Sequence, residues 1–168
     1  MEKVLKIDPS KCTGCRLCEQ ICSVVHEGSV NPYRARIKVV RWEMEGVVLP
    51  MVCQQCDDPP CLNVCPVSAI YKDVNSGVVS INYDRCIGCR MCMVACPFGA
   101  MGYDWVDKKV IKCDLCDGDP QCVRFCDPKA IDFVPKTETR ADKQRESAEK
   151  LLNILSSSNV VAEETNYS

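Results

Sequence analysis

The chain has 168 residues, a net charge of −2 and sixteen cysteines. That length accommodates one domain or two small ones sharing a core. The charge excludes the basic footprint of a nucleic-acid-binding protein, and no apolar run approaches the ~20 residues of a membrane span. Cysteine usage is therefore the compositional fact to explain. A disulfide framework suits small secreted chains, but Met1–Asp8 is too short and too mixed for a signal peptide and lacks a twin arginine. The expectation is a reducing, cytoplasmic setting with thiols free for metal.

In chain order, Val4–Ile7 reads as a strand and leads to a first cysteine set, Cys12, Cys15, Cys18 and Cys22. A longer excursion follows through Asn31–Arg36 into a candidate hairpin, Ile37–Met44 with Val47–Val52, turning at Glu45-Gly46. The whole insertion spans about 24–52. The second set is Cys53, Cys56, Cys61 and Cys65, and a turn at Asn75-Ser76-Gly77 introduces the strand Val78–Ile81. Cys86, Cys89, Cys92 and Cys96 form the third set. After a turn at Asp107-Lys108 and a strand at Lys109–Lys112, Cys113, Cys116, Cys122 and Cys126 form the fourth. Similar phrases, Cys65–Ile70, Cys96–Met101 and Cys126–Ile131, lead from the last three sets into further strands.

Every set opens C-x2-C and closes C-x3-C, and only the middle gap varies. This is an internal repeat, and it determines the architecture more firmly than propensity does. The predicted fold class is α+β: two interleaved dicluster modules of short strands and helical turns over 1–135, followed by a C-terminal helix and tail over 136–168. Thr137–Leu155 reads as a charged helix whose thin apolar stripe is Ala141, Ala148, Leu151, Leu152 and Leu155. Two readings stay open for it: a solvated surface helix, or an arm that docks on another subunit. The tail beyond it is polar and expected to be mobile.

The run Cys86–Pro97 has the C-x2-C-x2-C-x3-C-P spacing of bacterial ferredoxins, in which thiolates hold a [4Fe–4S] cube. A tight loop directs three thiolates at one cube, and the fourth, expected on the first turn of a following helix, reaches a neighbouring one. Structural zinc is the rival, but zinc sites draw two ligands from each of two knuckles. The first and third sets place three cysteines within seven residues. Four [4Fe–4S] clusters are expected, with all sixteen cysteines as iron ligands.

Ligand exchange between sets then proposes a pairing of the second set with the third and the first with the fourth. Cluster 1 takes Cys12, Cys15, Cys18 and Cys126, and cluster 2 takes Cys113, Cys116, Cys122 and Cys22. Cluster 3 takes Cys53, Cys56, Cys61 and Cys96, and cluster 4 takes Cys86, Cys89, Cys92 and Cys65. Pairing in order, first with second and third with fourth, satisfies the same spacing. Nesting is mildly favoured because the N-terminal strand needs a late partner such as Ala130–Val134.

Gly14 and Gly88 occupy matching places before the second cysteine of their sets and are expected to let the loop turn close to a cube. Arg16 and Arg90 match just after it. They, with Lys11, Arg85 and Lys112, are read as solvated. His26, the single histidine, is read as a loop residue, and Tyr33, Trp42 and Trp105 as packing residues. No nucleophile–base pair, phosphate loop or nucleotide fingerprint is present, so no catalytic residue is assigned.

Over 1–135 these four sets resemble the electron-transfer subunits that serve molybdenum and tungsten oxidoreductases, such as the iron–sulfur subunit of dimethyl sulfoxide reductase. The matching phrases are Lys11–Cys18, Cys53–Cys61 and Cys113–Cys116. The resemblance implies two interleaved ferredoxin modules, with the first set paired to the fourth and the second to the third. Cys22–Gly28 followed by Asn31–Ile37, and the compact length, are most similar to the small subunit partnering aldehyde:ferredoxin oxidoreductase-type tungsten enzymes. That likeness implies a subunit that is not an enzyme by itself. It would relay single electrons, in anaerobic metabolism, between a tungsten (or molybdenum) pterin catalytic subunit and a flavin subunit or ferredoxin, within a hetero-oligomer. The benzoyl-coenzyme A reductase branch is a close variant. A free-standing polyferredoxin, the beta subunit of a dimethyl sulfoxide reductase-type enzyme, and a zinc-stabilised interaction module are the alternatives.

Overall fold

The structure, a computed structural model, describes residues 2–139 together with 145, 148, 149 and 152. The chain forms two units, Met1–Val134 and Pro135–Ser168. Residues 136–139 are helical, as are 145, 148, 149 and 152, and the Thr139 hydroxyl donates to Lys136 O at 2.7 Å. Most of the expected helix Thr137–Leu155, and the tail beyond it, lie outside the described residues.

Unit 1 is built from short strands in two-stranded sheets. β1 (Lys3–Ile7) pairs with β8 (Ile131–Pro135), and β2 (Lys38–Trp42) with β3 (Val47–Met51). β4 (Ile70–Lys72) pairs with β5 (Val79–Ile81), and β6 (Gly102–Asp104) with β7 (Lys109–Ile111). The last three pairs are antiparallel neighbours in sequence. The first joins the two ends of the unit, and Asp8 N–H extends it to Ala130 O at 2.8 Å. The first strand of the unit is therefore closed upon its last.

Helices α1 (Leu17–Glu27), α2 (Pro60–Asn63), α3 (Met91–Ala95) and α4 (Gln121–Arg124) each follow a cysteine loop. α1 packs against α4, and α2 against α3. One core gathers Leu5, Ala35, Ile37, Val52, Leu115 and Ile131 with Cys18, Cys22, Cys113 and Cys122. The other gathers Ile70, Val79, Met101 and Val110 with Cys61 and Cys92. Thiols are thus a large part of what fills each core.

The helices correct one expectation. The third cysteine of a set, not the fourth, lies in the first turn: Cys18 and Cys92 are the second residues of α1 and α3. In the last three sets the fourth comes just past the helix end. Cys96 has left the helix, at φ −76° and ψ 112°, because the following Pro97 disfavours the α region for the residue before it. Nothing of that kind follows Cys22. There α1 runs on to Glu27 and stops at Gly28, whose positive φ of 68° closes the helix.

A buried carboxylate ties α1 to β2. Glu19 Oε1 accepts Val39 N–H at 2.8 Å, and Oε2 accepts Arg16 Nε at 2.6 Å. Glu19→Ala leaves a buried donor unpaired and should cost about 1–3 kcal/mol, with faster amide exchange at Val39. Ile111 is fully buried, whereas Met44 is 97% exposed. Ile111→Ala should therefore lose about 2–5 kcal/mol and Met44→Ala no more than about 0.5 kcal/mol, both read from anaerobic denaturant unfolding.

Candidate iron–sulfur centres

Two loops of the same design begin the first and third sets. Gly14 and Gly88 adopt φ of +71° and +67°, and Arg16 and Arg90 follow at φ 61° and 64°. A Cβ at Gly14 would stand 3.1–3.3 Å from Arg41 and Val48 of the β2–β3 hairpin, and one at Gly88 would stand 3.3 Å from Lys108 O. Each loop turns tightly beneath a hairpin, and only glycine combines that conformation with that closeness. Arg41 also donates to Gly14 O.

All sixteen cysteines are free thiols, and they converge in fours. Cys12, Cys15, Cys18 and Cys126 line one small pocket, site A. Cys53, Cys56, Cys61 and Cys96 line site C, and Cys65, Cys86, Cys89 and Cys92 line site D. Site B is Cys22, Cys113, Cys116 and Cys122. Three of these share one core, and the charge of Cys22 is felt at both Cys116 and Cys122. Pairing of the sets in order would bring Cys65 to the first loop; the chain brings Cys126 there instead.

The spacing of the sulfurs tests what these sites hold. Zn–S bonds of about 2.3 Å place tetrahedral sulfurs about 3.8 Å apart. Among the described residues, no three cysteine sulfurs lie within 4.8 Å of one another. The four thiols of a site are too widely set for one ion and suit a larger body with thiolates at its corners. Two other groups of potential ligands are accounted for differently. Glu27, Asp104 and Asp107 are bridged by the Arg34 guanidinium at 2.6–2.7 Å. His26, Asp114 and Cys116 belong to the margin of site B.

The residues around the thiols depart from several sequence expectations. His26 is not a loop residue: it sits in the last turn of α1, with Nε2 3.6 Å from Cys116 Sγ and 3.5 Å from Asp114 Oδ1. Burial lowers its pKa, against the opposing pull of Asp114. Its place four residues after Cys22 puts the two on one helix face, a signal visible in sequence once α1 is known to continue. Arg16 is not merely solvated, being paired to buried Glu19. Arg90 lies over the rings of Tyr103 and Trp105, at 3.9 and 4.7 Å from their centroids. Tyr33, 88% exposed, is a surface group and not a packing residue, whereas Trp105 packs edge-on against Tyr103 at a centroid distance of 4.8 Å.

Lys112 is the largest departure, at 3% exposure. Its ammonium donates to Val79 O and to Cys113 O, the latter at 2.8 Å. Buried Gln55 joins the same two residues: Nε2 donates to Cys113 O at 2.9 Å, and Oε1 accepts Val79 N–H at 2.9 Å. Neither residue carried a sequence signal beyond lying beside a cysteine.

Similarity to known proteins follows the same residues. The 4Fe-4S dicluster domain model matches residues 44–136, and the 4Fe-4S binding domain model matches residues 5–24. The chain belongs to the 4Fe–4S dicluster family. Within its reach, the polyferredoxin-like subunit of the aliphatic sulfonate oxidoreductase of Pyrococcus furiosus is 43% identical over 71% of this chain and 69% of its own length. The electron transport protein HydN of Escherichia coli is 37% identical over 88% of this chain and 98% of its own. A chain of the active-site complex of benzoyl coenzyme A reductase with benzoyl-CoA is 28% identical, covering 92% of this chain and 96% of that one at a TM-score of 0.49. As a member of this family the chain has a small α+β fold of tandem ferredoxin-like modules, and it is an iron–sulfur electron-transfer protein with no catalytic activity of its own. Among the described residues, no helix is long and apolar enough to cross a membrane.

Before metal binds, burial raises the thiols of Cys18 and Cys122 to about 12 and that of Cys92 to about 11. Cys65 behaves oppositely. Burial pushes it up, but backbone N–H groups, Ala69 at 3.2 Å among them, outweigh burial and hold it below the ordinary thiol value. Metal takes thiolates, so loading must release the protons of the raised thiols. Iron uptake by the metal-free chain should therefore strengthen steadily from about pH 7 to 9. A weakly buffered indicator should register acid release on loading.

Proposed function

We propose that the chain carries four [4Fe–4S] clusters, at sites A to D, and relays single electrons between a pterin-bearing catalytic subunit and a second redox partner. Bound there, each cluster takes up and returns one electron. The observation that carries this reading is the convergence of all sixteen thiols into four groups of four, with sulfurs too far apart for single ions.

The order of the sites supports a relay. A adjoins B, since α1 packs on α4 and Cys18, Cys22 and Cys122 share a core. B adjoins C, since Gln55, between the site C ligands Cys53 and Cys56, bonds to Cys113 O. C adjoins D through the core that holds Cys61, Cys65, Cys92 and Cys96. Of the sixteen cysteines, Cys15 and Cys89 are the exposed ones, and they belong to A and D. The two ends of the row are the ports for partners.

The surface near the D port favours a stable complex over a diffusing carrier. Ile87, Met91, Val94, Trp105 and Val106 are all more than half exposed, and lone carriers rarely keep such a face. The relatives named as oxidoreductase subunits point the same way, and the stretch Cys22–Ile37 favours a tungsten enzyme of the aldehyde oxidoreductase type, or its benzoyl-coenzyme A reductase branch, as the catalytic partner.

An anaerobic pull-down of the chain from its native cell, with metal analysis, tests this. The expected result is about sixteen irons per chain, together with tungsten and a large partner subunit. Iron at that level with no stable partner makes the chain a free-standing polyferredoxin, and molybdenum moves the partner to the dimethyl sulfoxide reductase type. Zinc without iron overturns the reading.

A further inference from the structure

Lys112 stands at the seam between the two modules. Its ammonium bonds to the carbonyl of Cys113, a site B residue, and to the carbonyl of Val79. Val79 itself lines the cavity of site C beside Cys53, Cys61 and Cys96. Among the described residues, no carboxylate pairs with Lys112. An ammonium buried without a counter-charge is costly, and two carbonyl dipoles offset only part of that cost. The negative charge missing from its surroundings is what thiolate-bound iron–sulfur centres on either side supply.

We infer that the buried Lys112 ammonium raises the reduction potentials at the two inner sites, B and C, relative to the outer sites A and D. The inference rests on the four-cluster reading above. One-electron reduction breaks no bond and moves no proton here; it adds one unit of negative charge at the site. A fixed cation at the seam stabilises that added charge, and does so most at the two sites it adjoins. The outer ports lie beyond a further site in either direction. Gln55 braces the arrangement by bonding to the same Val79 and Cys113. An electron entering at either end then meets its most favourable resting place at the centre of the row.

The test is an anaerobic redox titration of the iron-loaded full-length chain, with dithionite as the electron donor and paramagnetic resonance as the readout. In Lys112→Met, two of the four midpoints should fall by at least tenfold in electron-partition constant, 59 mV for a one-electron couple. The other two should stay in place. Lys112→Arg, which keeps the charge, should restore both. Gln55→Glu sets a carboxylate beside the intact ammonium and should lower the same pair, so it carries the measurement if Lys112→Met fails to load iron. The moving signals should be those least relaxed by a soluble chromium complex, since the exposed ligands Cys15 and Cys89 belong to the outer sites.

Four midpoints unmoved in the variants, or four moved equally, overturn the role of Lys112 while a wild-type content of about sixteen irons leaves the four-cluster reading standing. A wild-type content near eight overturns both.

Discussion

The structure depends on the separation of its thiols. Four sulfurs must stand too far apart to share one ion and yet face one space, and the chain solves this at each of its sites. The common device is a left-handed turn at or beside the second cysteine, with the third cysteine on the opening turn of the next helix. The fourth sulfur is delivered by another set, so no site is complete until distant parts of the chain have met. The apolar cores are small, and six of their sixteen buried residues are cysteines. A fold of this kind draws much of its stability from the bodies it binds, which makes ligation and folding one event.

Equivalent positions of the repeat have been put to unlike uses. Arg16 and Arg90 share a place in sequence and a backbone conformation, but one neutralises a buried carboxylate that anchors the β2–β3 hairpin and the other lies on an aromatic pair. Cys22 and Cys96 are both fourth cysteines. Cys96 is turned out of its helix before a proline, whereas Cys22 stays helical and accepts Arg36 N–H at 3.2 Å. The absence of proline after Cys22 lengthens α1, and the longer helix is what carries His26 to Cys116. One omission in a repeated phrase has thus brought His26 and Asp114 together at the margin of site B.

Charge arrangement around the sites follows from where backbone and cations are available. N–H groups of Arg36 and Ala69 point at Cys22 and Cys65, and such bonds favour thiolate over thiol. Among the described residues Lys112 is the one buried cation, and its ammonium bonds to the carbonyls of Val79 and Cys113. The Arg34 network, by contrast, sits apart from the sulfurs. It joins Glu27 at the end of α1 to Asp104 and Asp107 of the β6–β7 hairpin, holding the segment after the first set against the turn after the third. There burial raises Asp104, but Arg34 and two backbone N–H groups more than offset it and keep that carboxyl below its usual range.

Much of this was legible in the residues themselves. Cysteine spacing is a local property, so the four sets, the loop glycines and the strand-turn-strand phrases between them could be read in order, and the proline-free stretch after Cys22 already marked the first set as different. Which set completes which could be argued from the repeat but not decided, because both pairings satisfy the same spacing; that depends on β1 meeting β8 and on helix packing between residues a hundred positions apart. Lys112 shows the limit most clearly. In sequence it is one of several lysines and arginines beside a first cysteine, and solvation is the ordinary fate of such a side chain. Burial of its ammonium beside the Cys113 carbonyl requires the Val79 carbonyl of β5 and the Gln55 side chain of a third segment to arrive together, and only tertiary structure brings them.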